Sequence, residues 1–173
     1  YVQSQPIYGD NLKFEDTIDG IAEIWFDDTN AMRALADTKE YKDIQEDEKV
    51  FIDGSAVRLI IAEDTITVGG DVSDYKLVIF MNKSSNVELI DFRQELINTA
   101  SSYSKQNLNR MKVSLPKLAG YKSAKHPEWD AVLTIWLGVR VDQSYIDDVV
   151  SDFSVSATNT IAKLCNSVIV QEK

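Results

Sequence analysis

The chain has 173 residues, 44% of them apolar and 27% charged, the proportions of a globular protein able to bury a core. A formal net charge of −10 and a sequence pI near 4.5 set it against phosphate backbones and anionic lipid, so nucleic acid and membrane are not expected partners. No apolar run approaches the roughly 20 residues that span a bilayer, and a single cysteine, Cys165, excludes an internal disulfide and fits a reducing cytoplasm.

In chain order, Tyr1 to Ile7 and Ile21 to Phe26 are predicted strands. Asp28 or Thr29 starts a helix with Met32, Leu35, Tyr41 and Ile44 on its inner side, and Val57 to Ala62 is the next strand. Val68-Gly69-Gly70-Asp71 punctuates the chain. Tyr75 to Met81 is a short apolar run of strand length. Ser85-Asn86-Val87-Glu88 reads as a capping box. It opens a helix to about residue 105, with Leu89, Phe92, Leu96, Ala100 and Tyr103 at helical spacing. Met111 to Leu115 is a strand that Pro116 should end or push to an edge. Trp129 to Leu137 is a strongly apolar strand. Ser144 with Asp147 opens a last helix carrying Ile146, Val149, Val150 and Phe153, and Ser167 to Val170 closes the series as a strand.

The series repeats. Asp19-Gly20-Ile21-Ala22-Glu23-Ile24-Trp25-Phe26 returns as Asp130-Ala131-Val132-Leu133-Thr134-Ile135-Trp136-Leu137. Ser4-Gln5-Pro6 is echoed by Ser114-Leu115-Pro116, and Leu59 to Glu63 by Val168 to Glu172. All three echoes keep an offset of roughly 110 residues, the mark of a duplicated unit. The second copy reads β-α-β-β-α-β, a ferredoxin-like unit. The predicted fold is therefore α+β: two such units, residues 1–70 and 71–173, packed sheet to sheet as an α+β barrel around a cavity. Subtracting the offset puts the opening strand and helix of the first unit before residue 1.

The segment Asp19 to Asp27, followed by Ala31-Met32, Asp47-Glu48 and Phe51-Ile52-Asp53, resembles the EthD-like family of the dimeric α+β-barrel superfamily. The likeness covers about residues 1 to 67 and is looser beyond residue 75. The resemblance implies ferredoxin-like units paired into a barrel. It also implies chemistry of the kinds found in that superfamily: dehydration, decarboxylation, isomerisation or cofactor-free oxygenation of small, often aromatic molecules. A His-Ala-Pro stretch of the family's first helix would fall before residue 1, so its contribution cannot be carried over.

Strand alternation places Ile21, Glu23 and Trp25 on one face and Ala22, Ile24 and Phe26 on the other. The wholly apolar set suits the helix side, leaving Glu23 on the cavity face as the candidate catalytic residue. A carboxylate walled by Trp25 and apolar strands would be pushed upward by desolvation and could act as general base or acid. The plainer alternative is a structural ion pair with Arg58 or Lys13. Candidate substrate contacts are Gln3, Gln5, Trp25, Thr134 and Trp136, the glutamines as hydrogen-bond donors and the tryptophans as apolar walls that also serve as scaffold. Asp47, Glu48 and Asp53 read as turn or cap residues and Phe51 as core. His126 reads as a solvated loop residue and Cys165 as a packing thiol.

One Cys and one His cannot build the usual zinc site, and no loop has calcium-site spacing, so no metal and no cofactor are expected. Two functions stay open. One is a small-molecule enzyme in which Glu23 moves a proton on a hydrophobic ligand. The other is a non-catalytic binding or assembly protein. A homodimer is compatible with either.

Overall fold

The computed structural model describes residues 2–7, 18–119, 125–154 and 156–169. Among the described residues, seven strands form one antiparallel sheet accompanied by four helices. Strands β1 (Val2–Pro6) and β2 (Ile21–Glu23) are followed by helices α1 (Thr29–Ala36) and α2 (Lys39–Glu48), then by β3 (Ile61–Val68). The rest runs β4 (Tyr75–Lys83), α3 (Leu89–Ser102), β5 (Leu108–Leu118), β6 (Ala131–Leu137), α4 (Gln143–Phe153) and β7 (Ala157–Ile169). The strand order is β2-β1-β7-β4-β6-β5-β3.

The architecture is α+β, but its halves join edge to edge rather than face to face. β1 pairs with β7 and β3 with β5, so one continuous sheet replaces the two stacked layers expected. That sheet curls. Glu23 of β2 bonds Lys112 of β5, five strands away in the order, where a flat sheet would separate them by about 24 Å at ~4.8 Å per strand.

Strand β4 shows why both faces are apolar. Leu77, Ile79 and Met81 pack outward against Phe92, Leu96 and Ala100 of α3 and Ile146, Val149 and Phe153 of α4. Val78 and Phe80 turn inward onto Trp129 and Val132, with the Phe80 and Trp129 rings 5.7 Å apart. A strand covered on both sides loses the alternation of a half-exposed one and reads as a continuous apolar run.

Several local expectations shift. The box at Ser85–Glu88 does not cap α3, whose N-cap is Glu88 with no side-chain bond. α4 is capped by Asp142, whose carboxylate accepts from the Tyr145 N–H at 3.0 Å, not by Ser144. β5 runs through Pro116: its pairing with β6 stops at Ser114↔Val132, while its pairing with β3 continues past Pro116 with a register shift between Ile61 and Ala62. β7 begins ten residues before the expected Ser167. The predicted first-half helix breaks at Asp37–Thr38, with Thr38 capping α2. Only Ala36 of α1 and α2 is buried; Leu35, Ile44 and Phe51 are exposed, so Phe51 is not a core residue.

Gly70 is held by a close approach. A Cβ there would lie 1.9 Å from the Asn109 carbonyl oxygen, a backbone atom that cannot swing aside, whereas Gly69 has open space. Gly70→Ala is expected to cost about 1–3 kcal/mol by overpacking, and Gly69→Ala to stay within about 0.5 kcal/mol. Urea unfolding of the two variants checks the contrast.

Candidate functional site

The inner face of the sheet changes character along its strands. One end is filled by Val78, Phe80, Trp129 and Val132. At the other lies a cavity of about 800 Å³ whose wall includes Trp25, Asp64, Lys76, Arg110, Lys112 and Trp136. Between apolar plug and cavity runs a band of charge.

Lys76 and Lys112 are the centre of that band, only 1% and 5% exposed. An ammonium taken out of water is tolerable only when an anion and hydrogen bonds replace its hydration. Glu23 supplies both lysines: one carboxylate oxygen meets Lys76 and the other lies 3.3 Å from Lys112 Nζ. Asp64 Oδ2 meets Lys112 at 3.0 Å and accepts from Trp25 Nε1 at 3.2 Å, while Ser114 Oγ donates to Asp64 Oδ1 at 2.7 Å. Burial pushes the Asp64 carboxyl up, but the Ser114 hydroxyl, the Lys112 charge and bond and the Trp25 N–H outweigh it and hold it below the ordinary value. Three cations crowd Trp136, with Arg110 at 5.5 Å from its ring and Lys76 and Lys112 each at 6.0 Å. Lys112 also stands 5.3 Å from the Trp25 ring.

Of the residues singled out from sequence, Trp25 and Trp136 line this cavity, while Glu23 is not part of its lining and touches it only through its bonds to the wall residues Lys76 and Lys112. Thr134 sits one inward position further along β6, buried, with Lys112 opposite it in register. Gln3 and Gln5 do not join them. They are exposed and alternate with Ser4 and Pro6, which are buried, and Ser4 bonds Ser167 at 3.1 Å. Glu23 does not pair with Arg58, which bridges Glu128 at 2.8 Å, and Lys13 lies outside the described residues. The expected apolar surroundings of Glu23 are replaced by two ammonium groups. Asp53 accepts from the Ser55 N–H and Oγ, a local turn. The Cys165 thiol is pushed up to about 11, chiefly by burial and further by the Glu23 charge, against the opposing charges of Lys76 and Lys163. Such a thiol is inert at neutral pH. His126 is exposed.

Lys76, Lys112, Asp64 and Arg110 were missed. A lone lysine within YKLVIFM and another within MKVSL were the available signals, since strand parity puts each on the inward face with Val78 or Ser114. Among the described residues no cluster of His, Cys, Asp and Glu could hold a metal ion, and no helix is long and apolar enough to cross a membrane.

Residues 10–55 match the family model of the EthD domain. The EthD segment therefore contains Glu23 and Trp25, while Asp64, Lys76, Arg110, Lys112 and Trp136 all lie beyond it. No curated protein and no solved structure matches the chain.

Glu23→Gln leaves Lys76 buried without its anion and is expected to cost about 3–5 kcal/mol in thermal or urea unfolding, much of it recovered in Glu23→Gln/Lys76→Met. For Asp64 the folded value lies below the unfolded one. Its contribution to stability is thus complete above the ordinary 3.8 and is lost as pH falls through the folded value. Ser114→Ala removes one lowering contact, so an NMR titration of the Asp64 carboxyl carbon should show its midpoint rise. The acid loss of stability should then begin at higher pH.

Proposed function

We propose that the chain is an EthD-like α+β-barrel protein whose cavity binds a hydrophobic or aromatic metabolite, and that Glu23 performs proton-transfer chemistry on it. The observation that supports this reading is a cavity of about 800 Å³ lined by two buried ammonium groups and two indoles, with the Glu23 carboxylate bonded to both ammonium groups behind its wall. That volume falls within the roughly 300–1,000 Å³ of small-molecule sites. Trp25 and Trp136 give a planar ligand apolar walls. Glu23 takes a proton from the bound molecule, and Lys112 donates to the oxygen on which negative charge develops. Dehydration, isomerisation, decarboxylation and oxygenation are the reaction classes compatible with this arrangement.

The same proposal reads the fold as two ferredoxin-like units, residues 1–70 and 71–173. The order β7-β4-β6-β5 within the second supports it, because the first strand of such a unit lies between its third and fourth. The joins support it too. Ser4 lies opposite Ser167 across β1–β7, and Ser114 opposite Asp64 across β5–β3, with Ser4 and Ser114 at equivalent places in the repeat.

A non-catalytic binding protein is the second reading. It is favoured by the engagement of both Glu23 oxygens by lysines, which suits a fixed wall as well as a base. Turnover separates the two. In a screen of aromatic metabolites, Glu23→Gln assayed below its unfolding transition should lower turnover at least about 100-fold while ligand binding persists. Undiminished turnover in that variant removes Glu23 from the chemistry, and a ligand bound tightly but recovered unaltered favours the second reading.

A further inference from the structure

We infer that the ligand of this cavity is an anion, a planar aromatic body bearing a carboxylate or acidic phenolate, and that Arg110 is the residue that holds its charge. This rests on reading the cavity as a ligand site. Charge accounting along the wall leads to Arg110. Lys76 is matched by Glu23, and Lys112 by Glu23 and Asp64. Arg110 forms no ion pair with any described residue. Its guanidinium rests 5.5 Å from the Trp136 ring and reaches only the Gly70 carbonyl, at 3.5 Å through Nη1. Its Nε is buried with no hydrogen-bond partner. Buried N–H groups in folded proteins nearly always have a partner, and an orphan invites a functional explanation.

A guanidinium presents its donors as a planar fork that matches a carboxylate in two-point contact. Here the fork stands at the cavity wall beside an indole. A ring stacked along Trp136 therefore brings a substituent at its edge to Arg110. Asp74, also on the wall, is exposed and makes no ion pair with Arg110, so an incoming anion displaces no internal partner. The remaining wall contributes hydroxyl and amide groups from Ser73, Asn166 and Ser167, which suit further oxygen substituents on the ring.

The test pairs two probes of one shape, 2-naphthoate and 2-naphthalenemethanol, titrated calorimetrically against the wild-type chain, Arg110→Met and Arg110→Lys, with circular dichroism confirming that each is folded. The naphthoate should bind wild type at least about ten-fold tighter than the alcohol and weaken with added salt. Arg110→Met should erase that preference by weakening the naphthoate more than the alcohol, and Arg110→Lys should restore part of it, since a lysine keeps charge without the fork. If the alcohol binds as well as the naphthoate, or Arg110→Met keeps the preference, the anion assignment is overturned while the cavity reading stands. If neither probe binds, the cavity reading fails and this inference fails with it.

Discussion

Lys76 and Lys112 stand on interior strands of the sheet with their ammonium groups turned inward, and a buried ammonium costs several kcal/mol unless an anion meets it. The anions come from the two strands farthest apart in the sheet order, Glu23 from β2 and Asp64 from β3. Asp64 reaches Lys112 from the adjacent strand, but Glu23 can reach it only if the sheet rolls until its free edges approach each other. The curl and the cavity it encloses are thus tied to one four-residue network in which Glu23 closes the edges. Apolar packing on the inner face acts in the same direction, since Ile18, Ile21 and Ile60 pack on Val78, Phe80, Trp129 and Val132, whereas the outer core does not. The apolar core under α3 and α4 is built from β4 to β7 and their helices, and would be as well satisfied by an open sheet.

Charge and apolar packing divide the inner face between them. On β4 the inward positions run Lys76, Val78, Phe80, and on β6 they run Trp136, Thr134, Val132. The far end is plugged by side chains, so it encloses no space. The near end carries groups too polar or too cationic to pack against one another, so it stays open. A cavity here follows from the order of residues along two strands. Its contents follow as well, because indole faces tolerate nearby cations that aliphatic side chains would not.

The C-terminal half was the more legible in sequence. Its helices bury Phe92, Leu96, Ala100, Ile146, Val149 and Phe153 as their spacing indicated, with Leu89, Tyr103 and Val150 half-buried, and β4 and β6 fall close to their expected bounds. The face of Glu23 and Trp25 was readable from alternation within DGIAEIWF, since a period of two decides it. The partners of Glu23 were not. They lie 53 and 89 residues away, on strands whose pairing depends on how the edges meet. Lys76 was hidden by its neighbours, because a run apolar enough to be a doubly covered strand also absorbs one charged residue without altering the pattern. The glutamines of β1 went astray for the opposite reason: a five-residue strand of mixed polarity carries no hydrophobic bias to say which parity faces in.

On the two-unit reading, the seams between the halves show where a symmetric frame becomes an asymmetric site. Ser4 and Ser114 occupy matching places, yet Ser4 meets a serine across its seam and Ser114 an aspartate. Two residues earlier the pair is Val2 and Lys112, and the Glu23 position is answered by Thr134. Each swap adds charge on one side and leaves the other neutral. The matching tryptophans carry the same contrast, since Trp136 is buried beneath three cations while Trp25 is half exposed at the rim and donates to Asp64. A frame kept only for stability has no need of that pattern, because neutral packing at these positions would spare the desolvation of both lysines. Glu23 meets both lysines from across the closed edges, so the charged side of the frame is also the side that fixes the curl.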